Sequence, residues 1–286
     1  MRTGLFYAVL ASFLFACMNA SAKYLSDSMS VPQIVFYRGI IGTALTLAII
    51  RRKKLKPVVH NWPLLLSRGL FGAGSLLLAF LTISKIALAE ASFLAHLSPL
   101  ITVVFAANIL KEKMPKGSAL ALIPAATGAF LVATPWEFNL HVAYALIGIV
   151  GAILASSASV AIRQLSKDHD NYTIMLAFLG VATLLPIPFM TGHKLVVPTG
   201  TLAAVTVFLG TVSFMAQYCL TQAYRLEQAG LVATTRYIGI VFNIAFGFLI
   251  WQEVPAWTSF AGGALVLLGC LILPKLKKRD EGRNAT

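Results

Sequence analysis

Long apolar segments recur along the whole chain, and only short stretches of charged and turn-forming residues separate them. Each segment has about 17–24 residues, and a helix needs roughly 20 apolar residues to cross a hydrocarbon core about 30 Å thick. Segments of this length are typical of helices, which satisfy their backbone hydrogen bonds internally inside lipid. The composition agrees, because 58% of the residues are hydrophobic and only 12% are charged. These features exclude a soluble fold.

The boundaries of the apolar segments predict an all-α polytopic membrane protein with ten transmembrane helices. The predicted spans lie near residues 4–22, 32–50, 65–86, 90–110, 118–133, 140–162, 172–190, 201–224, 229–251 and 256–273. If the N-terminus is cytosolic, the opposite side of the membrane holds only the basic residues Lys23, Lys85 and Lys194. Because cytosolic loops are enriched in Lys and Arg, both termini are expected in the cytosol, with the protein in a bacterial inner membrane.

The two halves of the chain resemble each other weakly. A shift of about 141 residues aligns Gly69 with Gly210 and Glu112 with Glu253. Each half has five predicted spans, so tandem halves must have opposite orientations. We therefore expect two inverted five-helix repeats, residues 1–139 and 140–274, and a basic cytosolic tail at 275–286, with a substrate site near the repeat interface. Since the first span has a full-length counterpart, it is expected to be a helix and not a cleaved signal peptide.

Several other classes of protein are disfavoured. The net charge of +13 does not indicate nucleic-acid binding, because the basic residues lie in short clusters between apolar segments. The three cysteines form no CxxC pair, and Asp168-His169-Asp170 is interpreted as a solvated loop and not as a metal site. No cofactor or metal is expected. The expected partners are a small-molecule substrate and membrane lipids, and a homodimer is left open.

Ionisable residues inside the spans are candidates for function, because burying a charge in the membrane is costly. Arg38 lies deep in its span, counted from the outer side of the membrane, and Arg236 lies deep in its span, counted from the inner side. Neither has an obvious carboxylate partner. An anionic group of a substrate could pair with either guanidinium. The alternative is that each arginine binds backbone carbonyls and holds helices together. Arg68, nearer a cytosolic helix end, is expected to extend its side chain to the membrane surface.

Polar residues of both halves are expected around one central cavity. His96 of the first half aligns with Tyr237 of the second, next to Arg236. The other candidates for substrate binding are polar residues within the first, eighth and ninth spans: Asn19, Gln217, Tyr218, Gln222 and Asn243.

Energy coupling has weak candidates. His96 is the one deep residue that titrates near neutral pH, although a lone histidine is more often structural. Glu90, at the outer mouth of its span, is the second candidate for coupling. Pro99 can interrupt its helix, but Ile240 takes its place in the second half, so an interruption need not occur in both halves.

The order of several motifs resembles the drug/metabolite transporter superfamily, specifically its EamA-type members with two five-helix repeats. The motifs are Asn19-Ala20-Ser21-Ala22-Lys23, Phe36-Tyr37-Arg38, His96-Leu97-Ser98-Pro99, Gln222-Ala223-Tyr224-Arg225, Thr235-Arg236-Tyr237 and Trp251-Gln252-Glu253. Among these members the chain is most similar to bacterial proteins associated with S-adenosylmethionine or riboflavin uptake. The resemblance implies a secondary transporter of a small polar or amphipathic metabolite.

Two alternatives to a transporter were weighed from the sequence. An intramembrane lipid-modifying enzyme needs a nucleophile, a base or a metal, and no Gly-x-Ser-x-Gly or acidic metal motif lies in the spans. A membrane sensor or assembly protein would bind a ligand without moving it. The sequence favours transport of a metabolite such as an amino acid or an S-adenosylmethionine-like compound, and leaves direction and coupling ion open.

Overall fold

The structure is a computed structural model, which describes residues 3–55, 57, 60–111, 118–133, 140–190 and 195–268. The described residues contain helices and no strand. The helices are α1 (Thr3–Ser26), α2 (Val31–Arg52), α3 (Trp62–Ile83), α4 (Leu88–Ala95), α5 (Leu97–Ile109), α6 (Ser118–Ala133), α7 (Leu140–Leu165), α8 (Asn171–Leu184), α9 (Ile187–Met190), α10 (Gly200–Leu226), α11 (Ala229–Thr235), α12 (Ile238–Trp251) and α13 (Trp257–Leu268).

Eight helical segments of the described chain are long and apolar enough to cross a membrane. Three of them combine two consecutive helices, namely α4 with α5, α8 with α9, and α11 with α12. These findings confirm the all-α polytopic fold. The two remaining predicted spans correspond to the shorter apolar helices α6 and α13, so a total of ten spans stays a prediction.

Helices of one half pack mainly against helices of the other. The most extensive helix contacts are those of α1 with α10 and of α3 with α7, and α2 packs against α8. The contact between α3 and α8 has its counterpart in the contact between α10 and α2, the corresponding helices of the other half. In the same way, the contact of α5 with α7 corresponds to the contact of α11 and α12 with α1. Such exchange of partners is the pattern expected of two similar halves related by a pseudo-twofold axis.

Glycines of α2 and α3 allow α8 to approach closely. A Cβ at Gly39 would lie 2.9 Å from the backbone of Thr183, and one at Gly42 would lie 2.8 Å from Leu179 Cδ2. Gly69 faces Val181 in the same way. Small residues of this kind let helices approach closely in lipid.

We expect Gly39→Ala to lower the thermal unfolding midpoint, because its Cβ meets the backbone of α8, which cannot rotate away. Overpacking of this kind costs about 1–3 kcal/mol. Intrinsic fluorescence of the detergent-solubilised protein measures the midpoint. Gly180→Ala is the matched control, because a Cβ at that helical glycine has no heavy atom within 4 Å. Equal midpoints for the two variants would contradict the expectation.

Two of the long segments are interrupted at corresponding places. His96 separates α4 from α5, and Arg236 with Tyr237 separates α11 from α12. Pro99 accounts for the first interruption, because it lacks an N–H and clashes with the preceding turn. At the second, the Gly239 N–H donates to the Arg236 carbonyl at 2.9 Å, a tighter 3₁₀-type bond. The interruption therefore occurs in both halves, although only one half has a proline.

The segment Asp168-His169-Asp170 is a structural junction. Asp170 caps α8, because its carboxylate accepts hydrogen bonds from the N–H groups of Tyr172 at 2.8 Å and Thr173 at 3.0 Å. His169 is 5% exposed, and its Nε2 lies 2.6 Å from the His60 carbonyl oxygen. The prediction of a solvated loop was therefore wrong. Among the described residues there is no cluster of metal-ligating side chains.

Candidate functional site

A cavity of about 190 Å³ lies between the two interrupted helices and is lined by both halves of the chain. Its charged and amide-bearing lining residues are Asn19, Arg38, Arg68, His96, Gln217, Arg236 and Asn243. None of the lining residues that the structure describes is acidic. The cavity is therefore strongly cationic, although it lies inside an apolar helical bundle.

Six of the nine residues predicted for substrate binding line this cavity, and three do not. The ring of Tyr218 lies 5.7 Å from the ring of Tyr172, away from the cavity. Gln222 is likewise outside the lining, further along α10. Tyr237 is buried behind the lining, where its ring centroid lies 5.7 Å from that of His96. The structure thus brings together the predicted arginines, histidine and asparagines, with one glutamine.

Arg68 was missed as a site residue. It was expected to reach the membrane surface, but it is 2% exposed and lines the cavity, so that prediction was wrong. The reason lies one helical turn further along α3, where Gly72 has no side chain. A Cβ at Gly72 would overlap Arg68 Nη1 and would lie 2.8 Å from Phe178 Cδ2. The glycine thus leaves the space that the guanidinium occupies.

Arg38 and Arg68 share one aromatic partner. The Cζ atoms of Arg38 and Arg68 lie 5.3 Å and 4.3 Å from the ring centroid of Phe178. Both distances suit cation–π attraction, which partly compensates the lost hydration of the two cations. Phe178, on α8, is a site residue that the sequence did not indicate, because an apolar side chain in a span is usually core.

His96 connects the two helix interruptions. Its Nε2 lies 3.1 Å from the carbonyl oxygen of Arg236, and Ser12 Oγ lies 3.4 Å from the same oxygen. The guanidinium of Arg236 lies 5.7 Å above the ring of Phe15. The carbonyl at the second interruption is thus contacted by side chains from α1 and from the first interruption, in addition to the Gly239 N–H.

Asn19 and Asn243 form one polar contact between α1 and α12. Asn19 Nδ2 donates to Asn243 Oδ1 at 3.1 Å, and Asn243 Nδ2 donates to the Gly239 carbonyl at 2.8 Å. Asn243 therefore both lines the cavity, as predicted, and bridges the two helices.

The described acids near these helices lie outside the central cavity. Glu90 is buried and accepts a hydrogen bond from Ser259 Oγ at 2.7 Å, with His141 Nε2 at 3.5 Å from its second oxygen. Glu253 forms an ion pair with Lys23 at one end of the bundle. Neither carboxylate neutralises the arginines of the cavity.

An apolar helical bundle that encloses a polar cavity between two interrupted helices defines a multi-pass membrane transporter. The chain belongs to the EamA-like transporter family, whose model matches residues 2–134 and 142–273. The family and its named relatives are transporters and not enzymes. The resemblance to the drug/metabolite transporter superfamily is thereby confirmed.

Individual relatives extend over nearly the whole chain. The chain is 41% identical over 278 residues to the pseudopaline exporter of Pseudomonas aeruginosa, covering 97% of this chain and 98% of that protein. It is 24% identical over 285 residues to a riboflavin transporter of Rhizobium johnstonii, covering 99% and 94% of the two chains. A solved crystal structure matches the fold with a TM-score of 0.71 at 20% identity, covering 96% of this chain and 98% of the other.

Proposed function

We propose that this protein is a secondary transporter that moves a small polar metabolite bearing an acid group across the bacterial inner membrane. The observation that carries the proposal is the cavity, which three arginines line together with His96 and no described acid. Buried guanidinium groups without carboxylate partners suit an anionic ligand, which supplies charge-assisted hydrogen bonds when it binds.

The proposed mechanism is alternating access by rocking of two inverted five-helix repeats, residues 1–139 and 140–274, with both termini in the cytosol. Three observations support it: the exchanged helix contacts, the two separate family matches and the excess of basic residues in the loops of one side. The paired interruptions at His96 and Arg236 place irregular backbone where it lines a cavity, as in transporters built from inverted repeats.

Net export is the proposed direction. The relative at 41% identity is named an exporter of pseudopaline, and the match covers nearly all of both chains. Identity to the named riboflavin transporter is lower, at 24%. We therefore expect net movement of the substrate out of the cell, a direction that the sequence left open.

Purified protein in sealed proteoliposomes tests the proposal. We expect saturable flux of an acidic metabolite from a panel of labelled amino acids, S-adenosylmethionine, riboflavin and organic acids. The flux should fall at least about tenfold in Arg38→Gln, since a hydrogen bond to a charged group contributes about 1.5–3 kcal/mol. Arg52→Gln removes an equal charge from an exposed helix end and should transport normally. Folded protein that moves no member of the panel would contradict the proposal.

A further inference from the structure

Two buried cations share one ring in the cavity without any described anion beside them. Arg38 is 1% exposed and Arg68 is 2% exposed, and both guanidinium groups lie over Phe178. The salt bridges of the described chain involve neither of these arginines. Two like charges at this depth repel each other, and each has also lost most of its hydration.

The hydrogen-bonding groups of this pair are largely open. Within the part of the chain that the structure describes, Nε and Nη1 of both arginines have no hydrogen-bond partner. The amide Nε2 of Gln217, which also lines the cavity, is another buried donor without a described partner. Since buried donors are nearly always satisfied, five open donor atoms around one cavity indicate a ligand that accepts hydrogen bonds.

We infer that the Arg38–Arg68 pair binds a substrate carrying two negative charges close together, as a dicarboxylate or as a single phosphate group. This inference rests on the proposed function and specifies its substrate class. One carboxylate leaves the pair with a net positive charge, whereas a dianion balances both guanidinium groups. Each guanidinium can bind one carboxylate bidentately, so two acid groups can engage both arginines.

The surroundings of the pair position it for such a ligand. Gly72 leaves space for the Arg68 guanidinium, and Phe178 supports both cations from the α8 side. The arginines come from α2 and α3, while Gln217 comes from α10, so the open donors converge from both halves of the chain. Arginine is suited to this role, because it stays charged when buried and has several donors in a fixed plane.

Calorimetric titration of the purified protein in nanodiscs tests the inference with probes of matched size. Glutarate carries two carboxylates, its monoamide carries one, and inorganic phosphate carries two charges on one group when the buffer pH is above its second pKa. We expect glutarate or phosphate to bind at least about tenfold more tightly than the monoamide. Stronger binding of glutarate identifies a dicarboxylate site, and stronger binding of phosphate identifies a phosphate site.

Variants separate a binding role from a structural role. Arg38→Gln and Arg68→Gln should each remove the preference for the dianion, whereas Arg68→Lys should retain part of it because the charge remains. Gly72→Ala should weaken the preference without changing any charge, by displacing the guanidinium. Arg52→Gln, at an exposed helix end, should leave binding unchanged.

If neither glutarate nor phosphate binds more tightly than the monoamide, or if the dianion preference survives in both glutamine variants, the inference is overturned. The absence of binding by glutarate and phosphate to folded protein overturns it as well. The proposed function survives such results if the proteoliposomes still transport a metabolite that bears a single acid group. It fails separately if no member of the panel crosses the membrane.

Discussion

Glu253→Gln is expected to open one end of the helical bundle and to lower the transport rate at least about tenfold. The Glu253 carboxylate forms an ion pair with Lys23 and accepts a hydrogen bond from the Leu88 N–H at 2.9 Å. Lys23 Nζ also donates to the Ile86 carbonyl at 3.2 Å. One carboxylate, two residues beyond the end of α12, thus joins that segment to the end of α1 and the start of α4.

This contact is sensitive to charge because it combines two electrostatic interactions. The N-terminus of α4 attracts a negative group, and the Lys23 ammonium lies mostly out of water, with its side chain 13% exposed. Glutamine keeps the shape and one acceptor oxygen but leaves the lysine unpaired. Loss of one partner of a partly buried pair costs more than loss of a surface pair, which contributes about 0–1 kcal/mol. The conformation closed at this end should therefore become less populated.

Cysteine labelling measures the opening directly. In a protein whose native cysteines are replaced, Ala95→Cys places a thiol in the cavity lining. We expect an impermeant maleimide applied from the Lys23 side to react faster when Glu253→Gln or Lys23→Gln is added. Lys85→Gln, which removes an exposed cation, should not change the rate. Labelling rates that are equal in all these proteins would show that the ion pair does not close this end.

Much of the site could be predicted from the sequence, because polar residues are conspicuous in apolar spans. Arg38, His96 and Arg236 were selected on the cost of burying them, and the structure places all three around one cavity. The weak similarity between the halves was sufficient to align His96 with the neighbourhood of Arg236. Residues whose burial is costly are few, so their identification does not require the tertiary structure.

The eighth span shows where such reasoning was too coarse. Gln217, Tyr218 and Gln222 were grouped because they lie within two turns, but successive residues of a helix point about 100° apart. Gln217 faces the cavity, Tyr218 points towards Tyr172, and Gln222 follows Gln217 by five residues, off its face. Proximity along a helix does not imply a shared face.

Other features depend on contacts between distant parts of the chain. The direction of the Arg68 side chain depends on its rotamer and on the space beside Gly72. A glycine four residues after an arginine is nevertheless a sequence signal that the guanidinium has room inside the bundle. The pair between Lys23 and Glu253 joins residues 230 positions apart, and nothing in either local sequence specifies it. The interruption at Arg236 has no proline, and the side chains that contact its carbonyl, His96 and Ser12, come from distant parts of the chain.

His96→Leu is expected to reduce transport by about tenfold to a hundredfold, because leucine cannot bond the Arg236 carbonyl at the second interruption. The bond from His96 Nε2 to the Arg236 oxygen connects the two interrupted helices directly. Loss of a buried hydrogen bond costs about 1–3 kcal/mol, and each 1.4 kcal/mol corresponds to a factor of about ten in rate if the bond is needed at the barrier. His96→Gln keeps a side-chain N–H at similar reach and should transport faster than the leucine variant.

A matched control distinguishes the effect of losing the His96–Arg236 bond from the effect of losing any other hydrogen bond between helices. Ser156 Oγ lies 2.8 Å from the Ser98 carbonyl oxygen and so joins α7 to α5, and Ser156 itself does not line the cavity. Ser156→Ala should lower the unfolding midpoint as His96→Leu does, yet keep the flux of the wild-type protein. Initial rates in proteoliposomes, compared at equal amounts of folded protein, distinguish the two. If His96→Leu transports at the wild-type rate, the two interruptions act independently, and rocking of the repeats does not require the bond between them.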